Sequence, residues 1–207
     1  MQPTPYSDEP RILDDSGEAF FEQHKLTLGV GAAVILVGLI GSLWFWQAQE
    51  SRNLAALELF SKAETAEAWR EVADTYPGTP AAGMALLKLA NQAQQEGAFD
   101  LAASTYARFL TAYPDHPIAP AAEFAQGRSL QSAGKTEEAI AIYNKILDAQ
   151  KPHPFFGGAS VSLAEIYLAK SQTSEAKQVL ERFFAQDARS SYAGTARNLM
   201  AQIETTP

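Results

Sequence analysis

Two histidines stand 37 residues apart in this chain, His116 in the triplet DHP and His153 in the triplet PHP. An imidazole can ligate a metal or transfer a proton, provided that its partner groups converge on one point. Residues separated by one period of a repeating structure lie about one repeat apart in space. The spacing therefore predicts that both histidines begin turns and that they do not form a metal or catalytic pair.

Other residue types that can do chemistry carry no stronger signal. Glu137 and Glu138 stand at the start of a predicted helix, where the helix dipole favours negative charge, and nothing supports an acid–base pair of the glycosidase kind. Gly157-Gly158 lacks the Lys-Ser/Thr and the strand–turn–helix setting of a phosphate loop, so we interpret it as a flexible connector. No cysteine is present, which excludes disulfides and thiolate chemistry. The sequence predicts a non-enzymatic chain without metal or cofactor.

These residues are positioned by a repeat of 37 residues. Small residues mark the period in three columns, which are Ala102, Ala139 and Ala176; Ala90, Gly127, Ala164 and Ala201; and Ala85, Ala122, Ala159 and Ala196. Turn residues keep the same spacing at Gly97, Gly134 and Ser171. Repeats of this length indicate a solenoid of stacked units with an extended concave face. The predicted helices are 80–96, 98–113, 118–133, 135–149, 156–170 and 173–186, closed by a capping helix at about 191–204. Thr79 and Asp115 stand near helix starts, where their side chains can cap backbone amides.

The second repeat carries a recognisable motif in Gly127, Gly134, Ala139, Tyr143 and Pro152. This spacing resembles the tetratricopeptide repeat, a unit of two helices and about 34 residues. Each repeat here is longer in its connector, and the consensus tryptophan is replaced. Its three replacements are Leu86, Glu123 and Ser160. The resemblance implies an all-α solenoid that binds other proteins.

In such repeats the concave surface comes from the first helix of each pair. The residues predicted to bind a peptide there are Met84, Leu87, Asn91, Gln94, Gln95, Phe124, Arg128, Gln131, Val161, Glu165, Leu168, Asn198 and Gln202. Phe124 is expected to be an exposed apolar anchor, and amides can bond the backbone of an extended peptide. The alternative is an ordinary solvated face. The asparagine–lysine clamp of some relatives is not evident, since only Asn91 is suitably placed and Arg128 is the nearest cation.

Residues 26–46 form an uncharged segment of 21 residues, LTLGVGAAVILVGLIGSLWFW. A helix of about 20 such residues matches the hydrocarbon thickness of a bilayer, and Trp44 and Trp46 resemble an interfacial aromatic belt. A signal peptide would have a shorter apolar region behind a basic leader. Here the leader is acidic, with six acidic and two basic residues among the first 25. The sequence therefore predicts an uncleaved transmembrane anchor, with His24 at the membrane surface.

The chain is thus divided as follows: an acidic disordered leader at 1–17, a juxtamembrane segment at 18–25, the anchor at 26–46, a connecting helix pair at 47–79 and the solenoid at 80–207. Within the solenoid the repeats are placed at about 80–116, 117–153 and 154–190. A net charge of −8 without a basic stripe argues against nucleic acid as a partner.

The layout is similar to that of the ancillary subunit family of the bacterial Sec translocon. The YP-x-x-P connectors of this chain also look like those of the Tol-Pal coordinator and of outer-membrane assembly lipoproteins. The resemblance implies a cytoplasmic N-terminus, a single pass through the inner membrane and a periplasmic domain. The implied function is that of an adaptor or chaperone-like factor for exported envelope proteins near the translocon. A structural scaffold for an envelope assembly is the alternative, and homo-oligomerisation is left open.

Overall fold

The computed structural model describes residues 15–150 and 152–205, and every regular element within these ranges is an α-helix. The helices are α1 (Asp15–Lys62), α2 (Ala66–Thr75), α3 (Pro80–Gln95), α4 (Phe99–Ala112), α5 (Ala119–Ser132), α6 (Thr136–Leu147), α7 (Phe156–Ala169), α8 (Thr173–Asp187) and α9 (Ala193–Thr205). The chain divides into two compact units, Met1–Ser51 and Arg52–Pro207. The predicted disordered leader lies outside the described residues, except for its last three, which belong to α1.

In the first unit, the large apolar side chains of α1 from Val30 to Trp46 are exposed. Val37 is 70% exposed and Trp46 is 75% exposed. Among the residues whose side chains the structure describes, which do not include 25–29 and 32, no helix combines the length and the apolar character that crossing a membrane requires.

In the second unit, α3 to α8 form three helix pairs, and each helix packs against the next along the chain. Their bounds and those of α9 agree with the predicted helices to within two residues. First helices also contact each other, α5 against α7 and α7 against α9. The prediction of an all-α helix-pair solenoid is confirmed.

The tight turn inside each pair has one left-handed residue. Gly97 and Gly134 both have φ of +76°, and the third turn has Ser171 at φ of +60°. The following amide bonds back to the helix, for example Lys135 N–H to the Leu130 carbonyl at 2.9 Å. This 6→1 bond is the Schellman helix end, which favours glycine because a Cβ is disfavoured in that conformation. The column of turn residues in the sequence is explained by this geometry.

The connectors between pairs use two different caps. Thr79 is fully buried, and its Oγ1 accepts the Ala82 N–H at 3.3 Å, as predicted for a helix cap. Asp115 makes no such bond, because α5 begins later and its cap residue, Ile118, has no side-chain cap bond. Instead His116 Nδ1 accepts the Ile118 N–H at 3.1 Å. The capping prediction is therefore correct for Thr79 and wrong for Asp115.

The small-residue columns lie where helices cross closely. Ala139 is fully buried, and a Cβ added to Gly127 would lie 2.7 Å from the Tyr143 ring, closer than packed atoms approach. Ala201 is exposed, because no helix follows α9 within the described residues. Large side chains fill the next column, where Tyr106, Tyr143 and Leu180 are at most 2% exposed. Small and large columns together set the spacing of the pairs.

The buried side chains of this unit form two clusters. One joins the end of α1 to α2, α3 and α4, and it reaches Ala122 at the start of α5. The other runs from Ala103 and Phe124 to Ile203 in α9. The two clusters adjoin along α4 and α5, so that the solenoid has two adjacent cores.

Candidate protein-binding surface

Four residues at equivalent positions of the first helices form a line at the repeat spacing. They are Asn91, Arg128, Glu165 and Gln202, and we call them the inner column. All four are exposed. Of the other predicted binding residues, Met84, Gln95 and Asn198 are exposed, and Leu87, Gln94, Gln131 and Leu168 are half-buried. The inner column therefore presents an amide, a cation, an anion and a second amide in order along the solenoid.

Buried tyrosines contact Asn91 of the inner column and two amides beside the column, Gln94 and Gln131. The Tyr106 hydroxyl donates to Asn91 Oδ1 at 2.6 Å and lies 3.3 Å from Gln94 Oε1. The Tyr143 hydroxyl donates to Gln131 Oε1 at 2.8 Å. Because these bonds use the amide oxygens, they orient the side chains and leave the NH₂ groups for carbonyl acceptors. A peptide backbone offers such acceptors.

Arg128 acts electrostatically on two titratable groups of this surface, Tyr143 and Glu165. Burial raises the pKa of Tyr143 to about 12, and the Arg128 guanidinium opposes that shift. Although the Glu165 side chain is exposed as a whole, neighbouring protein atoms partly desolvate its carboxyl group and raise its pKa, and Arg128 again acts in the opposite direction. The tyrosine hydroxyls stay protonated at neutral pH, so they serve as hydrogen-bond donors. This arrangement is suited to binding charged and polar groups.

Two residues predicted for the surface are buried instead. Phe124 is 9% exposed, and its ring stacks on Phe155 at a centroid distance of 5.2 Å. It also lies against Gly158, whose added Cβ would come within 2.8 Å of the Phe124 ring. Val161 is 5% exposed in the same cluster. The expectation of an exposed anchor at Phe124 is wrong, because α7 begins with glycines that let the ring enter the core.

The same contact corrects the interpretation of Gly157-Gly158 as a flexible connector. Both glycines belong to the first turn of α7 and are buried. A Cβ on Gly157 would meet Ser190 Oγ at 2.8 Å, and one on Gly158 would meet Tyr192 as well as Phe124. The pair is glycine because side chains from α5 and from the connector between α8 and α9 approach its backbone, and not because the backbone bends there.

The two histidines begin turns, as predicted. His153 Nδ1 accepts the Phe155 N–H at 3.2 Å, in the same way that His116 binds Ile118. The repeat pattern does not predict the carboxylate beside His153: Glu123 Oε2 lies 3.5 Å from His153 Nε2. The available signal was the replacement of an apolar residue, Leu86 in the preceding repeat, by glutamate. Across the described ranges, no group of three or more histidine and carboxylate side chains is placed to hold a metal ion.

Comparison with known proteins agrees with this geometry. The tetratricopeptide repeat-like domain family matches residues 18–203. A crystal structure of a tetratricopeptide repeat protein from Parabacteroides merdae is similar, with a TM-score of 0.55 and 16% identity over 76% of this chain and 60% of that one. This chain thus spans about three fifths of that protein, and the likeness concerns the fold alone.

A putative kinesin light chain of Podosopora anserina with nearly identical TPR-like repeats is also similar. One structure of it has a TM-score of 0.47 and 19% identity, over 75% of this chain and 92% of that one. No curated protein matches the chain. The family match covers nearly all of the described residues, and the fold of this family typically forms non-enzymatic protein-interaction scaffolds. The chain belongs to the tetratricopeptide repeat-like domain family.

Proposed function

We propose that the second unit binds extended segments of other proteins along its inner column. The observation that carries this proposal is the line of exposed polar residues at repeat spacing on a fold of this family. Amide NH₂ groups would donate to the carbonyls of the bound chain. Arg128 and Glu165 would favour a segment with an acidic and a basic side chain, separated in space by the distance between two neighbouring repeats.

The partner class we propose is exported envelope proteins, with the protein acting as an adaptor or chaperone-like factor near a translocon. The support is the resemblance in layout, with an acidic leader, an uncharged segment and a repeat domain in that order. A chaperone-like factor contacts many unfolded chains, whereas a scaffold has one stoichiometric partner. In-cell crosslinking distinguishes the two. The crosslinker is placed at Asn91, which is exposed, and not at Phe124, which is buried.

We further propose that residues 26–46 anchor the protein in the inner membrane with the second unit outside the cytoplasm. The support is the uncharged sequence, its terminal tryptophans and a length suited to the hydrocarbon core. Protease added to spheroplasts is then expected to digest the second unit and to leave a membrane-bound N-terminal fragment. Full protection of that unit, or its recovery as a soluble protein from intact cells, would reject this location.

The binding surface is tested by replacing Arg128 with glutamate. We expect binding of an extended acidic peptide to weaken about tenfold, which corresponds to ~1.4 kcal/mol, because an exposed attraction becomes a repulsion. The difference from wild type should shrink as salt is added, since exposed charges are screened. Peptide titration by fluorescence anisotropy at low and high salt measures both effects.

Arg108→Glu is the matched control for this test. Arg108 is an exposed arginine on a second helix, α4, where it pairs with Asp74 at 2.7 Å. We expect this variant to bind the acidic peptide with nearly wild-type affinity. Equal weakening by both variants would mean that net charge alone governs binding, and wild-type affinity in Arg128→Glu would remove the inner column from consideration.

A further inference from the structure

The junction between the second and third repeats contains a largely buried titratable pair that the proposed binding surface does not use. The side chains of His153 and Glu123 are only 10% and 14% exposed, and their closest atoms, Nε2 and Oε2, are 3.5 Å apart. His153 Nδ1 accepts the Phe155 N–H, and Phe155 stacks on Phe124. The imidazole therefore connects α5 to the backbone that leads into α7.

This junction differs from its neighbours because of an exchange of ion partners. Arg108 pairs with Asp74 at 2.7 Å, and Arg182 pairs with Asp148 at 2.8 Å. The equivalent cation at this junction is Lys145. The position equivalent to Asp74 and Asp148, which would supply its carboxylate, is Thr111. Lys145 therefore pairs with Glu123 at 2.6 Å. The carboxylate beside His153 is already neutralised by a lysine, which reduces its attraction for a proton on the imidazole.

Other charged groups around the site do not offset this arrangement. From α8, Arg182 lies 6.0 Å from the centre of the Phe156 ring, and Asp187 lines a cleft of about 490 Å³ together with His153. Asp148, at the end of α6, is taken by Arg182. The first turns of α7 have no charged residue. Among the described residues, Glu123 is thus the anion in direct contact with the imidazole.

We propose that His153 is an acid-released latch, which holds the backbone entering α7 only while its ring is neutral. A neutral ring accepts the Phe155 N–H at Nδ1. A protonated ring carries a hydrogen on that nitrogen, so two donors face each other at 3.2 Å and the bond is lost. Acidification would then free the Phe155 backbone and loosen the contact between α5 and α7.

The direction of the pH effect follows from burial. Burial lowers the pKa of His153 below its ordinary value of 6.5, and Glu123 only partly opposes this shift. With the latch open, His153 has its ordinary pKa of 6.5; with the latch closed, its pKa is lower. Between these two pKa values the open state binds more protons than the closed state, so the latch weakens as the pH falls below about 6.5. For each unit by which the pKa of His153 is lowered in the closed state, the equilibrium constant for opening is about tenfold larger below both pKa values than above them.

The test is hydrogen exchange of the full-length protein in detergent micelles at about pH 7.5 and about pH 5.5, corrected for intrinsic rates. Peptides covering 152–160 should lose protection in acid, whereas peptides from α3 and α4, which contain no histidine, should not. His153→Asn keeps an acceptor that does not titrate, so residues 152–160 of this variant should be equally protected at both pH values. His116→Asn, at the equivalent position, should leave the wild-type response intact.

A second variant keeps the proposal testable if His153→Asn does not fold. In Glu123→Gln the imidazole loses its neighbouring anion, so the pKa of His153, followed by NMR of its ring proton, should fall further. An unchanged pKa in that variant would overturn the latch. So would equal protection of 152–160 at both pH values in the wild-type protein, or an undiminished acid response in folded His153→Asn.

Discussion

Replacing Tyr143 with alanine is expected to lower the free energy of unfolding by about 3–5 kcal/mol. The ring is fully buried, contacts Gly127 closely and lies 6.1 Å from the Phe124 ring between centroids. Removing it leaves a cavity between two helix pairs, and rigid helices cannot collapse fully into that space. Urea denaturation followed by circular dichroism, on protein in detergent micelles, measures the loss.

Tyr143→Phe is the matched control, because it keeps the ring and deletes only the hydroxyl that donates to Gln131. Its cost should be about 0.5–1.5 kcal/mol, the usual net value of one hydrogen bond. If the alanine variant unfolded at the same urea concentration as wild type, the column of large side chains at Tyr106, Tyr143 and Leu180 would not fix the spacing of the repeats.

Replacing Phe124 with alanine should destabilise the second unit by a similar amount, about 3–5 kcal/mol. The ring fills the space between α5 and the start of α7 and stacks on Phe155. A surface anchor would behave differently, with normal stability and weakened partner binding. Denaturation and peptide affinity measured on the same preparation therefore separate a core role from a surface role.

Arg128→Ala serves as the comparison, since it changes the next turn of the same helix at an exposed position. We expect its stability to stay within about 0.5 kcal/mol of wild type, as for most surface changes. A stable Phe124→Ala variant with impaired binding would contradict the packing described above and return the ring to the binding surface.

The contrast between Phe124 and Arg128 shows how far sequence periodicity reaches. Helices, turns and the buried small columns follow from a repeat of 37 residues, because each of them depends on local chemistry or on contacts between equivalent positions. Periodicity placed Phe124 on the same face as Leu87, which is only half-buried. It could not reveal that Gly158 would open a space for the ring, since that contact joins positions that are not equivalent.

The candidate surface was predictable to a similar degree. Asn91, Arg128, Glu165 and Gln202 are exposed because they follow the helical register. The hydrogen bonds from Tyr106 to Asn91 and from Tyr143 to Gln131 were not predictable, because the tyrosines come from the second helix of each pair. Glu123 beside His153 likewise depends on the path of a connector that the repeat pattern does not specify.

The two adjoining hydrophobic clusters bear on how the second unit responds to mechanical load. A solenoid is stabilised mainly by contacts between neighbouring units, so damage in one region need not spread to another. Tension applied between its ends would act on two cores in series, one reaching Ala122 and the other ending at Ile203. The weaker core would yield first and lengthen the molecule, while the stronger one kept its part of the binding face folded.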